Sequence, residues 1–145
     1  MDLTLDAIGP LANALESDFY ADPETMREAL DRGRPFNIIH YASSFKFDLF
    51  PLPADPYYQM GFSRRVRTDI EMDRQRILWF WAATPEGIIL AKLVWYRAGG
   101  CVSDRQWADI CGVIAVQGKR LDSGYLSRWA THLNVGALLD RAFQD

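Results

Sequence analysis

The sequence predicts an α+β domain, and three observations carry that reading. Residues 1–82 hold most of the strand-like runs, residues 84–143 hold most of the helical periodicity, and no regular strand–helix–strand alternation links them. At 145 residues the chain is long enough for one sizeable core.

Taken in order, Met1–Asp6 alternates polar and apolar residues as a half-buried strand would, with Leu3 and Leu5 on one face. Ile8–Ser17 reads as a helix, with Pro10 early enough to be tolerated, and Asp18–Ala21 as a short strand. Asp22 caps a second helix, with Met26, Ala29 and Leu30 inward and a stop near Arg32–Gly33. Phe36–Tyr41 and Phe45–Phe50 are strands at hairpin spacing. A short helix from Asp55 to about Phe62 follows, then an outer strand over Val66–Met72 and a second over Arg76–Ala82.

The next helix opens with Thr84 as cap, Pro85 at the first position and Glu86 in the first turn, where negative charge is favoured. Ile88, Ile89, Ala91, Leu93 and Trp95 are its expected apolar surface, with Lys92 and Arg97 as charged exceptions. Gly99–Gly100 stops it, and Ser103 caps a partner helix carrying Asp104, Arg105, Trp107, Asp109 and Ile110. Ser123–Leu133 and Gly136–Phe143 complete a helical tail with Tyr125, Leu126, Trp129 and Leu133 as its stripe. All five tryptophans lie in the second half, which is expected to hold most of the core.

Composition narrows the function. The net charge of -3 argues against a dedicated nucleic-acid binder, leaving only a small local patch at Arg64, Arg65 and Arg67. Cys101 and Cys111, without CxxC or a neighbouring histidine, argue against a zinc site or a disulfide framework and suit a reducing cytoplasm. There is no signal-peptide pattern and no apolar run approaching the roughly 18 residues of a membrane span. His40 and His132 are isolated and read as structural, and no Gly-rich phosphate loop, GxSxG or HExxH is present.

Asp2 and Asp48 lie on the polar faces of expected strands. As neighbours they could share a divalent cation with a nucleotide's phosphates; the plainer alternative makes Asp2 a solvated terminal residue and Asp48 a hairpin charge paired with Lys46. Lys92 and Arg97 could hold phosphates, oriented by Asp104 or Asp109, or these four could form an interhelical ion-pair network.

DLTLD at 2–6, FNIIH at 36–40, FKFDLF at 45–50, TPEGIILAKLVWYRAGG at 84–100 and SDRQWADICGVIAVQG at 103–118 together resemble bacterial nucleotidyltransferase-like proteins. These belong to the polymerase-beta-like superfamily, which includes abortive-infection and toxin-antitoxin nucleotidyltransferases. The resemblance covers nearly the whole chain and is most specific over residues 84–118. It implies a nucleotidyltransferase-like mixed sheet with flanking helices over 1–82, followed by a C-terminal helical bundle over 83–145 packed on it as one unit. It also implies magnesium-dependent transfer of a nucleotidyl group from an NTP to an unspecified acceptor. Asp2 would be the second acid of the family's Asp-x-Asp and Asp48 its third, both holding magnesium. Lys92 and Arg97 would contact the nucleotide, with Asp104 and Asp109 in support.

The family's first acid would fall before Met1, and its Gly-Ser segment is absent. The expectation is therefore an impaired or inactive enzyme, arising from a start assigned at an internal methionine or from a truncated remnant. An open sheet edge in such a chain would favour a homo-oligomer. The alternative is a non-catalytic binding module of a toxin-antitoxin or defence pair.

Overall fold

Asp22 is the first of three helix caps that the sequence specifies and the structure forms, with a fourth at Asp122. Its carboxylate accepts the Thr25 backbone N–H at 2.8 Å. The computed structural model describes residues 3–73 and 76–145, with side chains described outside 72–77. Two compact units result, Met1–Phe62 and Ser63–Asp145, each described here by itself. Both combine helices with a small antiparallel sheet, so the chain is α+β.

The expected N-terminal strand is not formed where the chain is described. Met1 and Asp2 lie outside the described residues, and Leu5–Ala7 winds as a 3-10 turn running into α1 (Ile8–Leu15). Leu3 packs against the core while Leu5 is half exposed, so the two do not share a face as a strand would require. Ile8 and Ala12, one helical turn apart, carry the burial instead.

In the first unit, β1 (Phe19–Tyr20), β2 (Phe36–His40) and β3 (Lys46–Leu49) form a sheet in that order. Both pairings are antiparallel, with Asn37 opposite Asp48 and Phe36 opposite Leu49. The described strands form two antiparallel sheets, one in each unit. Strands β2 and β3 meet through a tight turn, with Ser44 at φ +55°, and tight turns join only antiparallel strands. Beneath the sheet lies α2 (Pro23–Asp31), and the core is Ile8, Ala12, Met26 and Phe36 with Leu3, Leu11, Leu30 and Leu49 around it. Helix α3 (Pro56–Ser63) ends this part of the chain.

The second unit opens with a hairpin of β4 (Val66–Asp73) and β5 (Arg76–Ala82). Four helices follow: α4 (Pro85–Ala98), α5 (Asp104–Gln117), α6 (Ser123–His132) and α7 (Gly136–Ala142). Thr84 Oγ1 accepts the Gly87 N–H, Ser103 Oγ accepts that of Gln106, and Asp122 Oδ1 accepts that of Tyr125. These caps satisfy N–H groups that a helix start otherwise leaves unpaired.

The most deeply buried residues of this unit are aliphatic: Ile89, Leu90, Leu93 and Ile110 are wholly buried, joined by Leu126 and Val135, with Tyr96, Tyr125 and Trp129 packed among them. Among the tryptophans only Trp129 is fully buried, and Trp79, Trp81 and Trp95 are more than half exposed. The buried stripe of α4 is Glu86, Ile89, Leu90, Leu93 and Tyr96, which corrects the expected set. Spacings of three and four residues keep that stripe on one face, whereas Ile88, Ala91 and Trp95 turn away from it. On α6, Ala130 replaces Leu133 as the last deeply buried position of the stripe.

Candidate functional site

Asp48 stands on β3 with its side chain about half exposed. Its Oδ1 accepts a hydrogen bond from Asn37 Nδ2 at 3.0 Å and lies 3.4 Å from Lys46 Nζ. The Asn37 contact follows from register, because the two residues are direct cross-strand partners. Asp48 is thus a hairpin carboxylate held by its neighbours. Asp2, its expected companion, lies outside the described residues.

In the second unit the sequence-predicted residues form two separate arrangements. Lys92 Nζ, on α4, donates to Asp109 Oδ2 on α5 at 2.9 Å, pinning the two helices together. That hydrogen bond and the ammonium charge hold the Asp109 carboxyl below its usual range. Arg97 lies five residues further along α4 and does something different. Its Nη1 donates to the carbonyl oxygens of Leu133 and Asn134, each at 2.7 Å. Those carbonyls lie where α6 ends, so a guanidinium there satisfies acceptors the helix cannot and complements its negative terminus. Asp104 occupies the first turn of α5, where its charge suits the positive helix end.

A groove of about 490 Å³ runs beside the Lys92–Asp109 pair, lined by Pro85, Ile88, Ala108, Asp109, Gly112, Val113, Val116 and Gln117. Its walls are mostly aliphatic, with one carboxylate and one amide at hand.

Sequence reasoning missed the most connected polar node of this unit. Glu86, the one buried charged residue among those described, is 6% exposed. Its Oε1 accepts the Asp122 backbone N–H at 2.9 Å. Burial alone would raise its pKa; hydrogen bonds from the Asp122 and Glu86 backbone N–H groups and from Thr84, with the charge of Arg64, outweigh that and leave it below the usual value. Asp122 Oδ2 in turn holds Arg64 Nη2 at 3.4 Å, and the Arg64 guanidinium lies 4.2 Å from the centre of the Tyr125 ring. Burial raises the Tyr125 pKa against the pull of Arg64, and its hydroxyl has no hydrogen-bond partner among the described residues. The one sequence signal for this node was a glutamate following Thr-Pro at a helix start.

The remaining candidates are accounted for locally. His40 Nδ1 is hydrogen-bonded to Ser43 Oγ at 2.8 Å, and His132 packs edge-on against Trp129. Of the basic patch, Arg64 serves the node above, Arg65 lies over the Trp81 ring, and Arg67 lies over Trp79 and pairs with Asp69. Among the described residues, no group of three or more His, Cys, Asp and Glu could hold a metal ion; Asp2, one of the two acids that the resemblance implies for magnesium, lies outside them. No described helix is long and apolar enough to cross a membrane. No protein-family model, no curated protein and no solved structure matches the chain.

Proposed function

We propose that this is a nucleotidyltransferase-like protein that, with the acids described here, does not turn over nucleotides. The nucleotidyltransferase-like part of the reading rests on the motif succession and on Asp48 standing half exposed on a strand, as the family's third acid would. The absence of turnover rests on one observation: the described candidate ligands are each engaged by partners within their own unit. Asp48 binds Asn37, Lys92 binds Asp109, and Arg97 binds the α6 terminus. Phosphoryl and nucleotidyl transfer depend on converging positive charge and positioned donors at the reacting phosphate. Charges already neutralised by intramolecular partners supply little of either.

The test is transfer of label from α-labelled ATP, GTP, CTP and UTP in magnesium, together with the melting temperature in each nucleotide. No label transfer and no nucleotide-dependent shift are expected. Transfer that is abolished by Asp48→Asn would overturn the reading.

A second reading, a binding module of a toxin-antitoxin or defence pair, is favoured by the exposed β4–β5 hairpin. Trp79 and Trp81 are more than half exposed there, and Leu78 and Phe80 somewhat less than half. It predicts that a partner shields these tryptophans from quencher, which nucleotides would not do. The free thiols of Cys101 and Cys111 support a reducing, cytoplasmic setting for either reading.

A further inference from the structure

Among the described residues, β4 has β5 as its ladder partner on one side, which leaves its other edge with outward backbone N–H and C=O groups. The strand is eight residues long and contains no proline, and its described side chains are mostly exposed. Long, unblocked edges of this kind are templates for pairing with another strand.

The occupant is indicated by the charges on the edge itself. We propose that β4 pairs with β4 of a second copy of this chain, antiparallel, about a two-fold axis at Thr68. In that register each chain's Arg67 faces the other's Asp69, each Arg65 faces the other's Glu71, and each Val66 faces the other's Ile70. Every charged pair across the interface is of opposite sign.

Neighbouring registers are less favourable on physical grounds. The outward-pointing backbone groups belong to every second residue, so only registers that match residues of like parity align donors with acceptors. Shifting the axis to Arg67 sets arginine against arginine, and shifting it to Asp69 sets aspartate against aspartate. Like charges directly opposite are destabilising.

The faces also agree. The guanidiniums of Arg65 and Arg67 lie over Trp81 and Trp79, so the charged pairs share the tryptophan face. Val66 and Ile70 pair with Ala82 and Leu78 on the opposite face. Pairing would join these into one four-stranded sheet with a continuous apolar side, and the Arg67–Asp69 contact within each chain, at 3.2 Å, would become part of a four-charge cluster. This inference does not depend on the nucleotidyltransferase reading.

Sedimentation velocity over about 1 to 100 μM, a range that exposes mass-action association, tests it. The expected result is a concentration-dependent dimer. Arg65→Glu alone sets two glutamates face to face, and Glu71→Arg alone sets two arginines face to face; each variant should dimerise at least about tenfold more weakly. Mixing the two variants should restore the dimer, because the introduced glutamate then meets the introduced arginine while native Arg65 meets native Glu71. Backbone amides of 66–71 in the unsubstituted protein should also exchange more slowly at high concentration, a readout that needs no variant. A monomer throughout the range, a dimer indifferent to both substitutions, or a mixture no tighter than its components would each overturn the proposal.

Discussion

The backbone N–H of Asp122 donates to Glu86 Oε1 at 2.9 Å across 36 residues of sequence. It ties the first turn of α4 to the cap of α6. Glu86 is buried and ionised, and its hydrogen bonds, together with the charge of Arg64, offset the cost of that burial.

Removing this acceptor should destabilise the second unit. Glu86→Ala leaves the Asp122 N–H unpaired, and a loss of about 1–3 kcal/mol is expected in urea unfolding. Glu86→Gln keeps an acceptor oxygen and should lose less. Equal losses in the two variants would mean that packing, not the hydrogen bond, sets the effect.

The same carboxyl gives a pH dependence with a definite sign. Its folded pKa lies below the ordinary value of 4.5, so the folded state binds fewer protons than the unfolded state as that range is crossed. Its contribution is present above the unfolded value and is lost as pH falls through the folded one. Asp22 and Asp109 are shifted in the same direction. Stability should fall on acidification from pH 5 downward, less steeply in Glu86→Gln; a slope unchanged by that substitution would contradict the assignment to Glu86.

Leu93 and Trp95 separate burial from size. Leu93 is wholly buried, so Leu93→Ala should cost about 2–5 kcal/mol through lost transfer energy and a residual cavity. Trp95 is 57% exposed, and Trp95→Ala should fall within roughly 0.5 kcal/mol of the parent. Guanidinium denaturation of both variants decides this.

Lys92 and Asp109 are expected to couple weakly. Their side chains are 29% and 50% exposed, and a solvated ion pair of this kind contributes little to stability. A double-mutant cycle with Lys92→Met and Asp109→Asn should return a small coupling that shrinks in 0.5 M salt, roughly five times the ionic strength at which the screening length is about 10 Å. A large coupling would mark a site built for more than helix pairing.

Arg97 offers a local test of the α6 terminus. Arg97→Ala frees the carbonyls of Leu133 and Asn134 and should speed amide exchange around residues 133–136 with a global cost of about 1 kcal/mol. Arg97→Lys should restore only part of this, since an ammonium lacks the planar fork. Unchanged exchange in the alanine variant would show those carbonyls to be satisfied by water.

What the sequence by itself determined is mainly what local chemistry sets. The caps at Asp22, Thr84 and Ser103, the stop at Gly99–Gly100 and the hairpin joining β2 to β3 depend on residues within a few positions of one another, and all were legible. The Lys46–Asp48 and Lys92–Asp109 pairs were readable as alternatives to ligand binding, because their spacing allowed either. Tertiary structure decided the rest. Alternation in residues 3–6 could not reveal that Leu3 alone would find the core. Nor could five tryptophans in one half reveal that Trp79, Trp81 and Trp95 would stay more than half exposed while mostly aliphatic residues filled the deepest interior. Glu86 and Arg97 take partners 36 and 37 residues away, so their roles were fixed only when α6 packed against α4. A charged side chain's function follows from which unpaired groups the fold brings to it, and that is a long-range outcome no local pattern encodes.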